Sequence, residues 1–529
     1  MSLESSVLPF LPEIVLLAAA LLIFLLDVAR VRRLEVLGAL AVVATLIALV
    51  LVLADLQFAP FAALSTIPPS SIDAAPSSTA LYSFSSLGLV FQAIFLSGAF
   101  LVSFASLSRD PHERGGSVFF GLLLLATLGM LLVAVASDLI FLLLAIEIVG
   151  ISTYLMVAYT RRDARSLEAA MKFYIIGALS TALSFFGASL LYGAYGTTNL
   201  YGIVDAGPTV GYPTLALVGY GLLLAGLAFK VTAVPFHAWA VDVYDGAPND
   251  VSAFLAGGTK KMGLFAFFLV FIGPILAFRY VGSGPLPSPL TNFGPSFQLT
   301  LGVLSVLTMT VGNLLALQQQ QMKRMLAYSS ISQAGYMLMG IAIGTAPALA
   351  GATMQIFAHT FMKTGAFLVV AGVASLGVGP RIEDWRGLGQ RRPFLGVAFG
   401  LMLLGLAGIP LTVGFVSKFV LFSAAIQAQG YFVWLAVAGL LNSALSVFYY
   451  ARVLRILFAE QTQPGPLPSR AEGVVGGSEP IPLPVGGLGW ARSATLGIIT
   501  AVIVVFGVYP QPILSAFQAA AMHFVAGGA

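Results

Sequence analysis

The chain has 529 residues, of which 59% are hydrophobic, only 9% charged and none cysteine, where a soluble domain carries ~25% charged residues. These figures exclude a soluble enzyme, and they exclude thiolate-held iron–sulfur clusters and structural disulfides in this chain. The net charge of +4 comes from basic residues in short connections, with no basic face interleaved with aromatics, so nucleic acid is not an expected partner.

Apolar runs of about twenty residues without period-two alternation predict membrane-crossing helices rather than barrel strands. Fourteen spans are predicted, at 8–28, 35–54, 84–107, 117–136, 139–159, 167–195, 213–236, 250–279, 298–318, 324–344, 349–376, 394–425, 431–458 and 494–518. The first lacks a basic n-region and a small-residue cleavage site and reads as a retained helix. Gln57–Ala80, rich in Ser and Pro, and Gln461–Arg492, rich in Pro and Gly, read as extended surface segments. Basic residues test this count. The odd-numbered loops hold eighteen Lys and Arg, the even-numbered loops hold Arg279 alone, and six lysines lie within spans. The positive-inside rule then places the odd loops in the cytoplasm and both termini outside. Gly226-Leu227-Ala228 before Pro235 resembles Gly405-Leu406-Ala407 before Pro410, and Tyr154-Leu155-Met156 echoes Tyr336-Met337-Leu338. Units five helices apart have opposite orientations, so these matches hint at an inverted repeat.

The lysines within spans are Lys172, Lys230, Lys260, Lys261, Lys363 and Lys418, and the acidic residue well inside a span is Glu147. A charge near mid-bilayer costs ~2.5–3.5 kcal/mol even on lenient scales. Glu147 and Lys230 are therefore candidates for a pair, either a proton-handling pair or a static interhelical ion pair. Pro235 follows Lys230 by five residues and should break the seventh span, with His237 just beyond it. Broken membrane helices are tolerated where the freed backbone is buried in protein or lines water. The alternative for each lysine is a side chain that reaches along its stem to the surface. That reading suits Lys172, near the cytoplasmic end of the sixth span, better than Lys230, which is flanked by apolar turns. Lys260 and Lys261 project about 100° apart, so one is expected to face the interior and the other a neighbouring helix, partner or surface. GGTKK lacks the Gly before and the Ser/Thr after the lysine that a phosphate loop needs. Lys418 follows Pro410 in a second broken span, and Lys363, near His359, extends a polar line toward it. The histidines His112, His237, His359 and His523 are too far apart in sequence to form a ligand-spaced metal or haem site.

Five motifs carry a family resemblance: Glu147 in the fifth span, EAAMKFYIIGALS from Glu168, GLAFKVTAVPFHAWAVDVYDGAP from Gly226, MKRMLAYSSISQAGY from Met322, and GIPLTVGFVSKF from Gly408. With them the chain resembles the antiporter-like membrane subunits of respiratory complex I, the NADH–quinone oxidoreductase, and most of all its subunit N type. The resemblance implies an all-α polytopic membrane protein of about fourteen transmembrane helices, with two inverted five-helix repeats and discontinuous helices 7 and 12. It divides the chain into an N-terminal three-helix segment (1–116), a first repeat (117–280), a second repeat (297–460), and a cytoplasmic loop with a C-terminal transmembrane helix (461–529). It implies proton translocation driven by quinone reduction elsewhere in the complex. The glutamate–lysine pair falls on Glu147 and Lys230, the central lysine on Lys260 rather than Lys261, and the twelfth-helix lysine on Lys418. His237, Lys172, Lys363 and His359 fall on the auxiliary proton path. No cofactor or metal is expected on this chain; the electron donor (NADH or another), FMN, the Fe–S clusters and quinone belong on other subunits. The implied partners are other membrane-arm subunits, including another antiporter-like subunit and small membrane subunits, with lipids around them. The implied place is a bacterial inner membrane.

Two residues depart from the common pattern. Gln333 stands where many relatives have a tenth-helix histidine, and Lys363 stands where many have asparagine, so the central connection is expected to run through Lys363 and water. Lys418 argues against subunit M, which typically has glutamate there, and after Arg492 there is room for one helix only, without the lateral helix of subunit L. A Mrp-type cation/proton antiporter shares the fold and is the rival reading, with a purely structural membrane subunit as a third. The lack of a dedicated carboxylate cluster weakens the antiporter, since hard cations want several oxygens.

Overall fold

Lipid offers no hydrogen bonds, so a crossing segment must satisfy its own backbone, and helices do so. The structure, a computed structural model, describes residues 7–31, 33–58, 60–74, 80–109, 116–159, 164–206, 212–280, 293–460 and 488–527. His112 and most of the Pro/Gly-rich segment after Gln461 lie outside the described residues. The principal helices are α1 (Leu11–Val28), α2 (Leu34–Asp55), α3 (Ser86–Ala105), α4 (Gly116–Ala134), α5 (Leu139–Ala158), α6 (Ala164–Tyr195), α7 (Pro213–Val231), α8 (Ala238–Gly246), α9 (Asn249–Phe254), α10 (Lys260–Tyr280), α11 (Phe293–Leu317), α12 (Met322–Ile343), α13 (Ala346–Ser375), α14 (Pro393–Ala407), α15 (Val413–Gln427), α16 (Phe432–Leu457), α17 (Trp490–Val508) and α18 (Gln511–Gly527).

Twelve helices among the described residues are long and apolar enough to cross a membrane. The enclosed, more polar α12 and the two apolar half-helices α14 and α15 complete fourteen crossings. The chain is thus a multi-pass membrane protein. From α4 to α10 and from α11 to α16 run two units of five spans each, and in both units the fourth span is discontinuous. The units also share a way of bringing helices close. Ser180 Oγ donates to the Gly226 carbonyl at 2.7 Å between α6 and α7, and Ser305 Oγ donates to the Gly335 carbonyl at 2.7 Å between α11 and α12. A Cβ on Gly226 would sit 2.0 Å from Ser184 Oγ, and one on Gly335 would sit 2.5 Å from Met309. Small residues and interhelical hydrogen bonds are what hold helices together where lipid is as apolar as leucine.

The breaks come where proline and left-handed residues leave backbone groups unpaired. After α7, Thr232 has φ 63°, and the Val234 amide finds Thr308 Oγ1 of the other repeat at 3.0 Å. After α14, Gly408 has φ 86° and Leu411 φ 69°; Thr412 then caps α15 by accepting from the Phe415 amide. The eighth span is continuous but contains one π-helical turn, Leu255–Thr259, between α9 and α10. A further break was not expected from the sequence. In place of one helix at 494–518, α17 ends at Val508 and α18 starts at Gln511. Pro510 has no amide to donate and restricts Tyr509, which has φ −126° and ψ 75°. Gly507 lies against the Leu411 carbonyl and Thr412, so this break adjoins the one in the twelfth span. Asp250, at the start of α9, pairs with Arg109 at 3.4 Å and with Arg492 at 3.6 Å, all three buried, joining the third, eighth and last spans.

Candidate functional site

In the first repeat, Glu147 on α5 accepts from Thr181 Oγ1 of α6 at 2.5 Å and from Lys230 Nζ of α7 at 3.4 Å. Lys230 Nζ also lies 3.3 Å from the Tyr154 hydroxyl, two turns along α5 from Glu147. Gly177 makes room for Tyr154, since a Cβ there would be 2.1 Å from the hydroxyl. The Lys230 side chain is 11% exposed and that of Glu147 is 23% exposed, so the pair is sheltered but not sealed. A cavity of about 20 Å³ beside Lys230 is lined by Tyr154, Thr153, Phe229, Trp239, Thr259 and Met262 among others. That is room for one water, and it reaches Thr259, the residue before Lys260.

At the centre, Lys260 Nζ donates to Ser330 Oγ of α12 at 3.0 Å and lies 5.6 Å from the Tyr244 ring. His237, just beyond the break after α7, has Lys260 as its charged neighbour and a buried, unpartnered Nδ1. Lys363 Nζ donates to the Leu326 carbonyl at 2.8 Å and to Ser329 Oγ. His359 is fully buried with neither ring nitrogen bonded, and the charged groups around it are Lys261, Lys363 and Lys260. Lys261 takes one of the places left open to the second lysine, a neighbouring helix, with Lys363 and His359 of α13 beside it. The offset of about 100° holds, and the eighth span runs between the two repeats and is 89% buried. It has no lipid side for the second lysine to take.

In the second repeat, Lys418 Nζ donates to the Leu406 and Ala407 carbonyls at 2.9 and 3.0 Å and to Ser443 Oγ at 2.9 Å, with the Tyr336 ring centre 4.8 Å away. Gln333 donates to the same Leu406 carbonyl at 3.0 Å, accepts from Gln355 Nε2 at 2.7 Å, and Gln355 in turn accepts from Ser417. The Tyr450 hydroxyl lies beside Ser329, Tyr449 and Gln333. Polar groups therefore line the way from Lys363 past Ser329, the buried and unbonded Tyr450 hydroxyl and Gln333 to the carbonyl that holds Lys418, without forming a continuous hydrogen-bonded chain.

Residues 136–446 match the family model described as NADH:quinone oxidoreductase/Mrp antiporter, TM. The chain belongs to that family. It is 38% identical over 525 residues to F(420)H(2) dehydrogenase subunit N of Methanosarcina mazei, covering 97% of this chain and 98% of that protein. It is 40% identical over 376 residues to NADH-quinone oxidoreductase subunit N of Trichlorobacter lovleyi, covering 70% and 73%. A chain of respiratory complex I from Thermus thermophilus superposes with a TM-score of 0.73 at 28% identity, covering 96% of this chain and 99% of that one.

Within this family member, Lys172 stands apart from the line of titratable groups. It pairs with Glu168 at 2.8 Å and Asp242 at 3.0 Å on an exposed surface, and Arg324 reaches the same Asp242 at 3.1 Å. Thr181, Tyr154, Ser330, Tyr450, Gln355 and Ser443 were not singled out from the sequence. Tyr154 had a signal, since it is seven residues from Glu147 and so shares its face of the helix; hydroxyls in apolar helices otherwise commonly bond their own backbone. Glu147 is also not alone as an acid within a span. Glu13 of α1 is 4% exposed and accepts from Gln92 Nε2 at 2.8 Å.

Proposed function

We propose that this chain is the proton-translocating membrane subunit of a quinone-reducing respiratory dehydrogenase, with no redox centre of its own. The observation that carries this is the line of titratable groups, half-buried at Glu147, Lys230 and His237 and buried at Lys260, His359, Lys363 and Lys418, which crosses from one broken span to the other. The electron donor, FMN, Fe–S clusters and quinone sit on other subunits. Relatives named for an F420H2 dehydrogenase and for NADH–quinone oxidoreductase align with this chain, which supports a role that does not depend on the donor. The neighbours are other membrane-arm subunits, among them another antiporter-like subunit and small membrane subunits, in a bacterial inner membrane with both termini outside. The two mechanical units are 117–280 and 297–460.

The 3.4 Å Glu147–Lys230 contact is worth about 5 kcal/mol of attraction at an effective dielectric near 20, comparable to the several kcal/mol that desolvation costs the ammonium. The balance is close. With Glu147 ionised, Lys230 keeps its proton; when the carboxylate is neutralised or drawn away, the proton is free to leave across the one-water cavity toward His237 and Lys260. It then passes to the His359–Lys363 centre and on to Lys418 through water along Ser329, Tyr450 and Gln333, since the Gln333 amide and the Leu406 carbonyl it shares with Lys418 carry no proton themselves. Lys172 belongs to the cytoplasmic rim rather than to this relay. The test is proton pumping per quinone reduced in membrane vesicles, with wild type and with Lys230→Ala at matched complex content. Loss of pumping with assembly intact is the expected result. Pumping unchanged by the substitution, or Na⁺ exchange without quinone turnover, would replace this reading with the antiporter one.

A further inference from the structure

Lys261 has no part in the family pattern described above, yet it is placed with unusual care. It is completely buried. The π-helical turn Leu255–Thr259 precedes it, and its ammonium donates to the Ala256 carbonyl within that turn. Such turns interrupt the regular i→i−4 ladder and concentrate at functional sites. Gly257 and Gly258 allow this turn to sit tightly, since a Cβ on Gly257 would be 2.2 Å from Thr364 Oγ1 and one on Gly258 3.1 Å from Met130. A lysine needed only to fill volume would be a poor choice here, because methionine fills the same space without a charge.

Among the described residues, the titratable groups that act on it are bases. Lys260 stands beside it on the same helix, and His359 and Lys363 come from α13. His237, from the break after α7, and Tyr244, from α8, border Lys260 on the far side. Among the described residues no carboxylate forms an ion pair with Lys260, Lys261 or Lys363. Four buried bases without a counter-charge cannot all be protonated, because each added charge bears both desolvation and repulsion from the others. Some of them must stand as empty bases, and titrations in such a group belong to the cluster rather than to one member.

We propose that Lys261 is a proton-carrying member of this central cluster, which with Lys260, His359 and Lys363 shares fewer protons than it has bases. A proton arriving at Lys260 leaves that ammonium for a neutral base of the cluster, Lys261 or His359, and a proton leaves from Lys363 toward Lys418. The number of protons in the cluster is restored at each turnover. This deepens the proposed function and rests on it.

The experiment uses the assembled complex in vesicles and measures protons pumped per quinone reduced across pH, with complex content quantified. Lys261→Met removes the base and keeps the volume; Lys261→Gln keeps a donor for the Ala256 carbonyl but carries no proton. Both are expected to lower pumping about tenfold and to displace its pH profile, a loss smaller than the ~10²–10⁴ of a fully positioned acid–base group because neighbouring bases remain. Pumping at the wild-type level with an unmoved pH profile in either assembled variant overturns the proposal. So does failure of both variants to assemble, which would make Lys261 a staple of the π turn. Lys260→Met is run beside them. If that variant pumps like wild type, the proposed function itself is wrong, whatever Lys261 does.

Discussion

The two broken spans solve the same problem in different ways. Lys230, before the break in the first repeat, is held by a carboxylate, Glu147, at 3.4 Å, and by the Tyr154 hydroxyl. Lys418, after the break in the second repeat, is held by two carbonyls and a hydroxyl, all neutral and all within 3.0 Å. The carbonyls close the C-terminus of α14, where the aligned peptide dipoles amount to roughly half a negative charge. A carboxylate can be protonated or drawn to another cation, so the first lysine has a partner that can be withdrawn. Backbone carbonyls cannot be protonated at physiological pH and do not leave, so the second lysine has a fixed environment. The first site can be switched from outside the chain, whereas the second can respond only to a proton brought to it.

The largest effect should come from breaking the withdrawable pair. Lys230→Met is expected to abolish pumping, by ~10²-fold or more, the scale of a lost acid–base group, while the complex still assembles. Glu147→Gln should cost less, since Lys230 stays in place. The double variant should be no worse than Lys230→Met alone, because members of one unit are not additive. Pumping per quinone reduced in the three variants checks this, and additive losses would dissolve the pair into two independent sites.

Substitution at Lys418 sharpens the other side of the comparison. Lys418→Arg keeps a positive charge against the Leu406 and Ala407 carbonyls, so assembly should survive. A guanidinium stays protonated and cannot hand its proton on, so pumping should fall about as far as in Lys418→Met, by roughly tenfold or more. Arginine pumping like wild type would make Lys418 a fixed charge, and the polar route from Lys363 would end at Gln333.

Much of this contrast could be read in the chain before its structure. Continuous apolar runs specify the spans, and Pro235 and Pro410 mark the two breaks. Pro510 carries the same signal, but the residues on both sides are apolar enough to read as one span. The Glu147–Lys230 pair is legible because few acids lie inside the spans to choose from. The offset of about 100° left Lys261 to a neighbouring helix, a partner or the surface, and only the tertiary arrangement chooses α13 among them. The oxygens around Lys418 had no signal at all, because two are backbone carbonyls freed by a break and the third is an ordinary serine.

Where the two repeats are alike, they should fail alike. Gly226→Ala forces a Cβ to within 2.7 Å of the Ser180 carbonyl, and Gly335→Ala forces one to within 2.7 Å of the Ser305 carbonyl. Each should destabilise the chain by ~1–3 kcal/mol, the usual cost of overpacking. Thermal unfolding of the purified complex measures this. A loss at one glycine and not the other would mean that the two helix pairs do not share a packing role.

The smallest expected effect tests where the first site ends. Lys172 is a lysine on a membrane helix of the first repeat, like Lys230 on another, but its side chain is 43% exposed and its partners Glu168 and Asp242 are exposed too. Exposed ion pairs are screened and contribute little. Asp242 also keeps Arg324 at 3.1 Å when the lysine is removed, and Arg324 reaches Asp245 at 3.7 Å. Lys172→Ala should therefore leave pumping within about twofold of wild type, at low and at high ionic strength alike. A tenfold loss, relieved by no change of salt, would mean that protons enter along this rim. The switchable site would then begin at the exposed surface with Lys172 and Asp242, and Glu147 and Lys230 would be its second stage rather than its first.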